Sequence, residues 1–125
     1  MNIKHLRTLK KARLLSDCKI KMSAIAVKGG RVIAVACNTE GSAGKGVYRY
    51  SRHAEDNLLR LLNIRRKTGG CSVQLPTIFV FREHGGEMRS QLTARPCRLC
   101  QHSLREAGIK KVKYSTEAGW IELRL

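Results

Sequence analysis

Two hydrophobic periods alternate along this chain, one of two residues and one of about 3.6, and that alternation limits the folds open to it. Lys21 to Lys28 alternates residue by residue, with Met22, Ala24 and Ala26 opposite Ser23, Ile25 and Val27. Gly29-Gly30 then signals a tight turn, and Arg31 to Cys37 reads as a second strand, so the two predict a hairpin. Before them, Ile3 to Ser16 has helical spacing, with Ile3, Leu6, Leu9 and Leu14 on one face and Lys4, Arg7 and Lys11 on another. Asn38 to Tyr50, with Gly41, Gly44 and Gly46, reads as a loop. A second helix is predicted from His53 to Ile64, its apolar side formed by Leu58, Leu59, Leu61 and Leu62. The basic run Arg65-Arg66-Lys67 suits its C-terminal dipole, and Gly69-Gly70 ends it. Thr77 to Arg82 is a third strand, and Pro96 opens a third helix that Gly108 closes after Ala107. Lys110 to Ser115 and Trp120 to Leu125 are the last two strands, separated by the turn Glu117-Ala118-Gly119. The order α-β-β-α-β-α-β-β predicts an α/β layered sandwich, because helices that alternate with strands must cover the sheet.

At 125 residues the chain is expected to form one domain, residues 1–125, with one core. A hydrophobic content of 42% excludes a disordered tail. No apolar run approaches the roughly 20 residues of a membrane span. Met1 to Arg13 is basic but lacks the apolar stretch of a secretion signal, so a cytoplasmic setting without membrane partners is expected. Five cysteines, an odd number, argue for metal ligands or buried apolar fillers over a disulfide framework. The net charge of +16 predicts anionic partners such as nucleotides or nucleic acid, and does not choose between them.

Two short motifs carry chemistry. His53-Ala54-Glu55 opens the second helix, and Pro96-Cys97-Arg98-Leu99-Cys100 opens the third. A Cys-x-x-Cys at a helix start puts both thiols near the positive end of the dipole, which is expected to favour the thiolates a metal binds. Two thiolates and one imidazole leave one tetrahedral zinc position open, as catalytic zinc sites require. Water at such a position becomes acidic enough to react near neutral pH. Glu55, two residues beyond His53, is placed to handle that water's protons without being a ligand.

Together the motifs match the H-x-E…P-C-x-x-C pattern of zinc deaminases, and the chain resembles the cytidine deaminase superfamily over nearly its whole length. Within it, the likeness is to CMP/dCMP-type deaminases: His53-Ala54-Glu55-Asp56-Asn57, Pro96-Cys97-Arg98-Leu99-Cys100 and the run Leu104 to Tyr114 are similar to that group's sequences. The resemblance implies a three-layer cytidine-deaminase-like sandwich, a mixed five-stranded sheet with helices on both faces. It implies that His53, Cys97 and Cys100 bind zinc, that Glu55 shuttles protons during hydrolytic deamination of a cytosine nucleotide or nucleoside, and that Asn38 binds substrate. Main-chain amides near Ala54 and Cys97 would stabilise developing charge. A homo-oligomer is also implied.

Three features depart from the family pattern. Forty residues separate Glu55 from Pro96, more than the family has. Too few residues follow Thr116 for a helix between the last two strands, so these are expected to form an antiparallel hairpin. Arg95 precedes Pro96 where small or acidic residues are more familiar. With Arg89 and Arg98 it makes a cluster suited to a substrate phosphate.

Each motif has a plainer reading. Cys18, Cys37 and Cys71 read as buried fillers, and His5, His84 and His102 as ordinary polar or capping residues. Asn38 could cap a turn, and Tyr114 could pack as readily as stack on a base. Three functions compete: a free-nucleotide deaminase, a polynucleotide deaminase acting on single-stranded DNA, RNA or a tRNA loop, and a non-catalytic zinc-containing nucleic-acid-binding module. Glu55 argues against the third, because a structural zinc needs no proton shuttle.

Overall fold

A computed structural model describes residues 2–16, 18, 21–41, 50–62, 76–82, 94–116 and 118–125. Its elements run α1 (Ile3–Arg13), β1 (Met22–Lys28), β2 (Arg31–Cys37), β3 (Thr39–Gly41), β4 (Tyr50–Arg52), α2 (Ala54–Leu62), β5 (Thr77–Arg82), α3 (Arg98–Glu106), β6 (Lys111–Thr116) and β7 (Gly119–Arg124).

Five strands form one mixed sheet in the order β2-β1-β5-β6-β7. β1 pairs antiparallel with both β2 and β5, while β5 and β6 run parallel, joined through α3. β6 and β7 pair antiparallel, with Ser115 opposite Trp120. The last two strands are therefore the hairpin expected from their short connection. Gly29 and Gly30 turn the β1–β2 hairpin with φ of 59° and 79°, a region that side chains with a Cβ rarely adopt. Ala26 faces Ala34 and Val27 faces Val32, so Ile33 is an extra residue, a β-bulge on the outer strand.

The alternation of β1 sorts its side chains onto two faces. Ala24 and Ala26 join Ile78, Val80, Val112, Leu58 of α2 and Leu104 of α3 in the larger core. Ile25 joins Leu9 of α1 and Phe81 in the smaller one. Helices thus cover both sheet faces, α1 on one and α2 with α3 on the other, as the three-layer expectation requires.

The structure corrects two readings. Thr39–Gly41 and Tyr50–Arg52 form a small antiparallel ladder, with Thr39 opposite Arg52, at the two ends of the stretch read as loop. The buried face of α1 is His5, Leu9 and Ala12, while Ile3 and Leu14 are 65% and 63% exposed. His5 lies inward because its Nε2 meets the carbonyl of Gly30 at 3.2 Å and its ring lies 6.0 Å from that of Phe79. Among the described residues no helix is long and apolar enough to cross a membrane.

Candidate active site

Two helix starts meet beside the larger core. Glu55 and Asp56 lie in the first turn of α2, where the helix dipole favours acidic side chains. Ala54 and Leu58 are fully buried, which fixes that turn against the sheet. His53 stands just before it, and its carbonyl accepts from the Asn57 amide at 3.1 Å. At α3 the N-cap is Cys97, whose sulfur accepts from the Cys100 amide at 3.5 Å. The Gln101 side-chain amide donates to the Pro96 carbonyl at 2.8 Å, and the Ala94 amide donates to the Ser115 carbonyl of β6 at 2.9 Å. These bonds hold the cysteine segment to the sheet.

The helix starts bring His53, Cys97 and Cys100 together, with one ligand atom from each lying within 4.8 Å of the others. His53 Nδ1 is 3.1 Å from Cys100 Sγ and 3.5 Å from Cys97 Sγ. Ordinary zinc bond lengths in a tetrahedron separate nitrogen from sulfur by about 3.6 Å, so the trio fits a zinc ion with little adjustment. No further His, Cys, Asp or Glu among the described residues joins the group. His53 and Cys97 are exposed, whereas Cys100 is buried.

Glu55 is 2% exposed, and its Oε1 has no hydrogen-bond partner among the described residues. A buried carboxylate oxygen left unpaired is costly, and it signals a site that a substrate or water completes. Burial pushes the Glu55 carboxyl above its usual range, against the opposing pull of its own main-chain amide and of nearby His53. Cys100 corrects the thiolate expectation. Its burial, reinforced by the charge of Glu55, drives the thiol strongly upward. Burial and the neighbouring acidic groups thus act against the thiolate in the metal-free protein. A coordinating metal reverses that balance by deprotonating the thiol.

The remaining site candidates are distributed unevenly. Asn38 follows β2 directly and is 8% exposed, and its Oδ1 accepts from Ser16 Oγ at 2.6 Å and from the Met22 amide at 2.9 Å. Asn57, read from sequence as shaping the helix, reaches from α2 to the residues on both sides of Asn38. Its Nδ2 donates to the Cys37 carbonyl at 2.8 Å and to Thr39 Oγ1 at 3.2 Å. Ser16 and Thr39 were not anticipated, and nothing local in the sequence marks them. Arg95 and Arg98 are exposed on either side of Pro96-Cys97. Tyr114 is placed in the larger core, 7% exposed, so its ring packs against apolar neighbours. His102 is exposed and lies 3.6 Å from Glu106 on the same helix. Cys18 is buried and Cys37 half-buried, and neither forms a disulfide among the described residues. Arg89, His84, Cys71, Gly69-Gly70 and the Arg65–Lys67 cluster lie outside the described residues.

Comparison with known proteins agrees with this geometry. The family described as the cytidine and deoxycytidylate deaminase zinc-binding region matches residues 3–116. A cytidine deaminase from Burkholderia pseudomallei superposes with a TM-score of 0.65 at 22% identity, covering 99% of this chain and 93% of that one. The apo dCMP deaminase of cyanophage S-TIM5 gives 0.56 at 24% identity, covering 90% and 82%. The same phage enzyme in complex with dCMP and dUMP gives 0.50 at 24% identity, covering 90% and 81%. A comparison with curated proteins found no match. The structural likenesses establish the fold, and the family match spans nearly the whole sequence, so the chain belongs to the zinc-binding cytidine and deoxycytidylate deaminase family.

Proposed function

We propose that this protein is a zinc-dependent hydrolase that deaminates a cytosine nucleotide or nucleoside, of the CMP or dCMP kind, to its uracil form. The observation that carries this reading is Glu55, buried beside the His53, Cys97 and Cys100 trio with its Oε1 unpaired among the described residues. A zinc ion held by that trio supplies a Lewis acid that makes water reactive near neutral pH. Glu55 would accept a proton from the attacking water and pass it to the ring nitrogen N3, then carry the second proton, from the new C4 hydroxyl, to the departing amine. A C–O bond forms at C4, the C4–N bond breaks and ammonia leaves. The raised pKa of Glu55, caused first by its burial, suits a group that must hold a proton between the two transfers. The main-chain amides of Ala54 and Cys97, at helix starts, face the developing charge.

Arg95 and Arg98 bracket the metal-binding cysteine and are the side chains proposed to meet a substrate phosphate. Asn38, held by Ser16 and Met22, is proposed at the substrate's sugar. Exposed Leu61 on α2 and Leu99 between the two cysteines support self-association next to the site. A polynucleotide substrate is the second reading, favoured by the +16 charge. The cysteine pattern supports a cytoplasmic setting.

The test is direct. Zinc-loaded protein is incubated with cytidine, CMP, dCMP and a cytosine-containing single-stranded oligonucleotide, and released ammonia and uracil are measured. Turnover of monomers that fails in Glu55→Gln, with zinc retained, is the expected result. Turnover of the oligonucleotide alone transfers the assignment to the second reading, and turnover of none sinks both.

A further inference from the structure

The outward face of α1 carries a second surface that the deaminase reading does not use. Its exposed positions are Ile3, Lys4, Arg7, Lys10, Lys11 and, just past the helix, Leu14. Lys4, Arg7 and Lys11 follow one another at helical spacing along about 10 Å of the axis, with Lys10 beside them. α1 contains no acidic residue. The contact between His5 Nε2 and the Gly30 carbonyl holds the β1–β2 turn against the start of the helix, which adds exposed Lys28 and Arg31 to the same surface. Among the described residues, these six cations have no ion-pair partner.

This surface lies on the sheet face opposite the trio. Leu9 of α1 packs with Ile25 and Phe81, while Ala54, Leu58 and Leu104 of α2 and α3 pack with Ala24, Ala26 and Val80. A polyanion held by α1 is therefore not the chain presented to Glu55.

We propose that α1 and the β1–β2 turn form a docking surface for the sugar-phosphate backbone of single-stranded nucleic acid, without base specificity and separate from the metal-binding site. Charge complementarity selects this partner: cations that succeed one another without an acidic interruption suit a chain of evenly spaced phosphates. A lipid surface fits less well. The middle of the stripe is cationic, and Ile3 and Leu14 stand apart at its two ends, so no continuous apolar face exists to enter a bilayer. The proposal is independent of the deaminase reading.

The test uses the intact protein and a fluorescently labelled 20-nucleotide oligouridine, with binding followed by anisotropy over a range of salt. If all six cations meet phosphates, log Kobs falls with log salt at a slope of about −4. Replacing Lys4, Arg7, Lys10 and Lys11 together by Gln is expected to reduce that slope by about 3, leaving dCMP turnover unchanged. A control with Arg60, Arg105, Lys110 and Arg124 replaced by Gln makes the same change in net charge and is expected to keep the slope. Arg7→Glu alone, expected to weaken binding several-fold, gives the answer if the fourfold variant folds poorly. Equal loss in the α1 and control variants overturns the proposal, because it makes the attraction diffuse. Binding to phosphatidylserine vesicles with none to oligouridine also overturns it.

Discussion

Asn57 donates its side-chain amide to the main-chain carbonyl of Cys37 across 2.8 Å, tying the helix that carries Glu55 to the end of β2. The same amide reaches Thr39, so the residues on both sides of Asn38 hang from α2. Asn57→Ala removes both bonds and is expected to destabilise the protein by about 1–3 kcal/mol. Asn57→Asp is expected to be worse, because it faces a carbonyl with an acceptor. Chemical denaturation orders the three proteins, and Asp milder than Ala would show that this amide does not hold the junction.

Glu55 is expected to trade stability for activity. Its carboxyl is raised in the folded state, so its favourable contribution is present below the unfolded pKa and is lost as pH rises through the folded one. In chelator-treated protein at neutral pH, Glu55→Gln should therefore be more stable by about 1–3 kcal/mol. That gain should shrink as the solution is acidified into the carboxylate range. Turnover should fall by about 10²–10⁴-fold. Thermal melts of both proteins across pH check the sign, and a gain that grows on acidification would contradict it.

Cys97 has two duties that substitution separates. Its sulfur caps α3 and also faces His53. Cys97→Ser keeps a capping oxygen and is expected to leave metal-free stability nearly unchanged, while zinc per chain falls. Cys97→Ala loses the cap as well, at a cost of about 1 kcal/mol. Zinc analysis combined with melts under chelator distinguishes the two losses.

Two leucines of the first helical segment should behave differently. Leu9 is fully buried and Leu14 is 63% exposed. Leu9→Ala is expected to cost about 2–5 kcal/mol, and Leu14→Ala no more than about 0.5 kcal/mol. Urea denaturation measures both, and similar costs would place the helix the other way round.

That contrast marks where sequence reading succeeds and where it stops. β2 and β5 occur at the residues read as strands, Arg31 to Cys37 after a glycine turn and the apolar run within Thr77 to Arg82, because turn signals and short apolar runs are local. The metal trio was legible because two local motifs each place their ligands at a helix start. The face of α1 was harder, since Ile3, Leu6, Leu9 and Leu14 satisfy one helical stripe and His5, Leu9 and Ala12 another. Contacts with Gly30 and Phe79, distant in sequence, decide between the stripes. The direction in which Cys100 shifts was hidden for a similar reason. The helix dipole is local and visible, whereas burial and the proximity of Glu55 arise only on folding. Tyr114 likewise lies in the larger core opposite Val80, a placement that a sheet register sets and local sequence does not.

The bulge at Ile33 has a consequence for the molecule in a crowded solution. β2 is a sheet border, and a straight apolar border invites a second copy to add a strand. The extra residue breaks the regular spacing of β2's outward amides and carbonyls and increases the local twist. A neighbouring copy cannot zip along it in register. A strand as hydrophobic as Val32-Ile33-Ala34-Val35-Ala36 can thus stand at the margin of the sheet with its tendency to assemble into fibrils held in check by a single unmatched side chain.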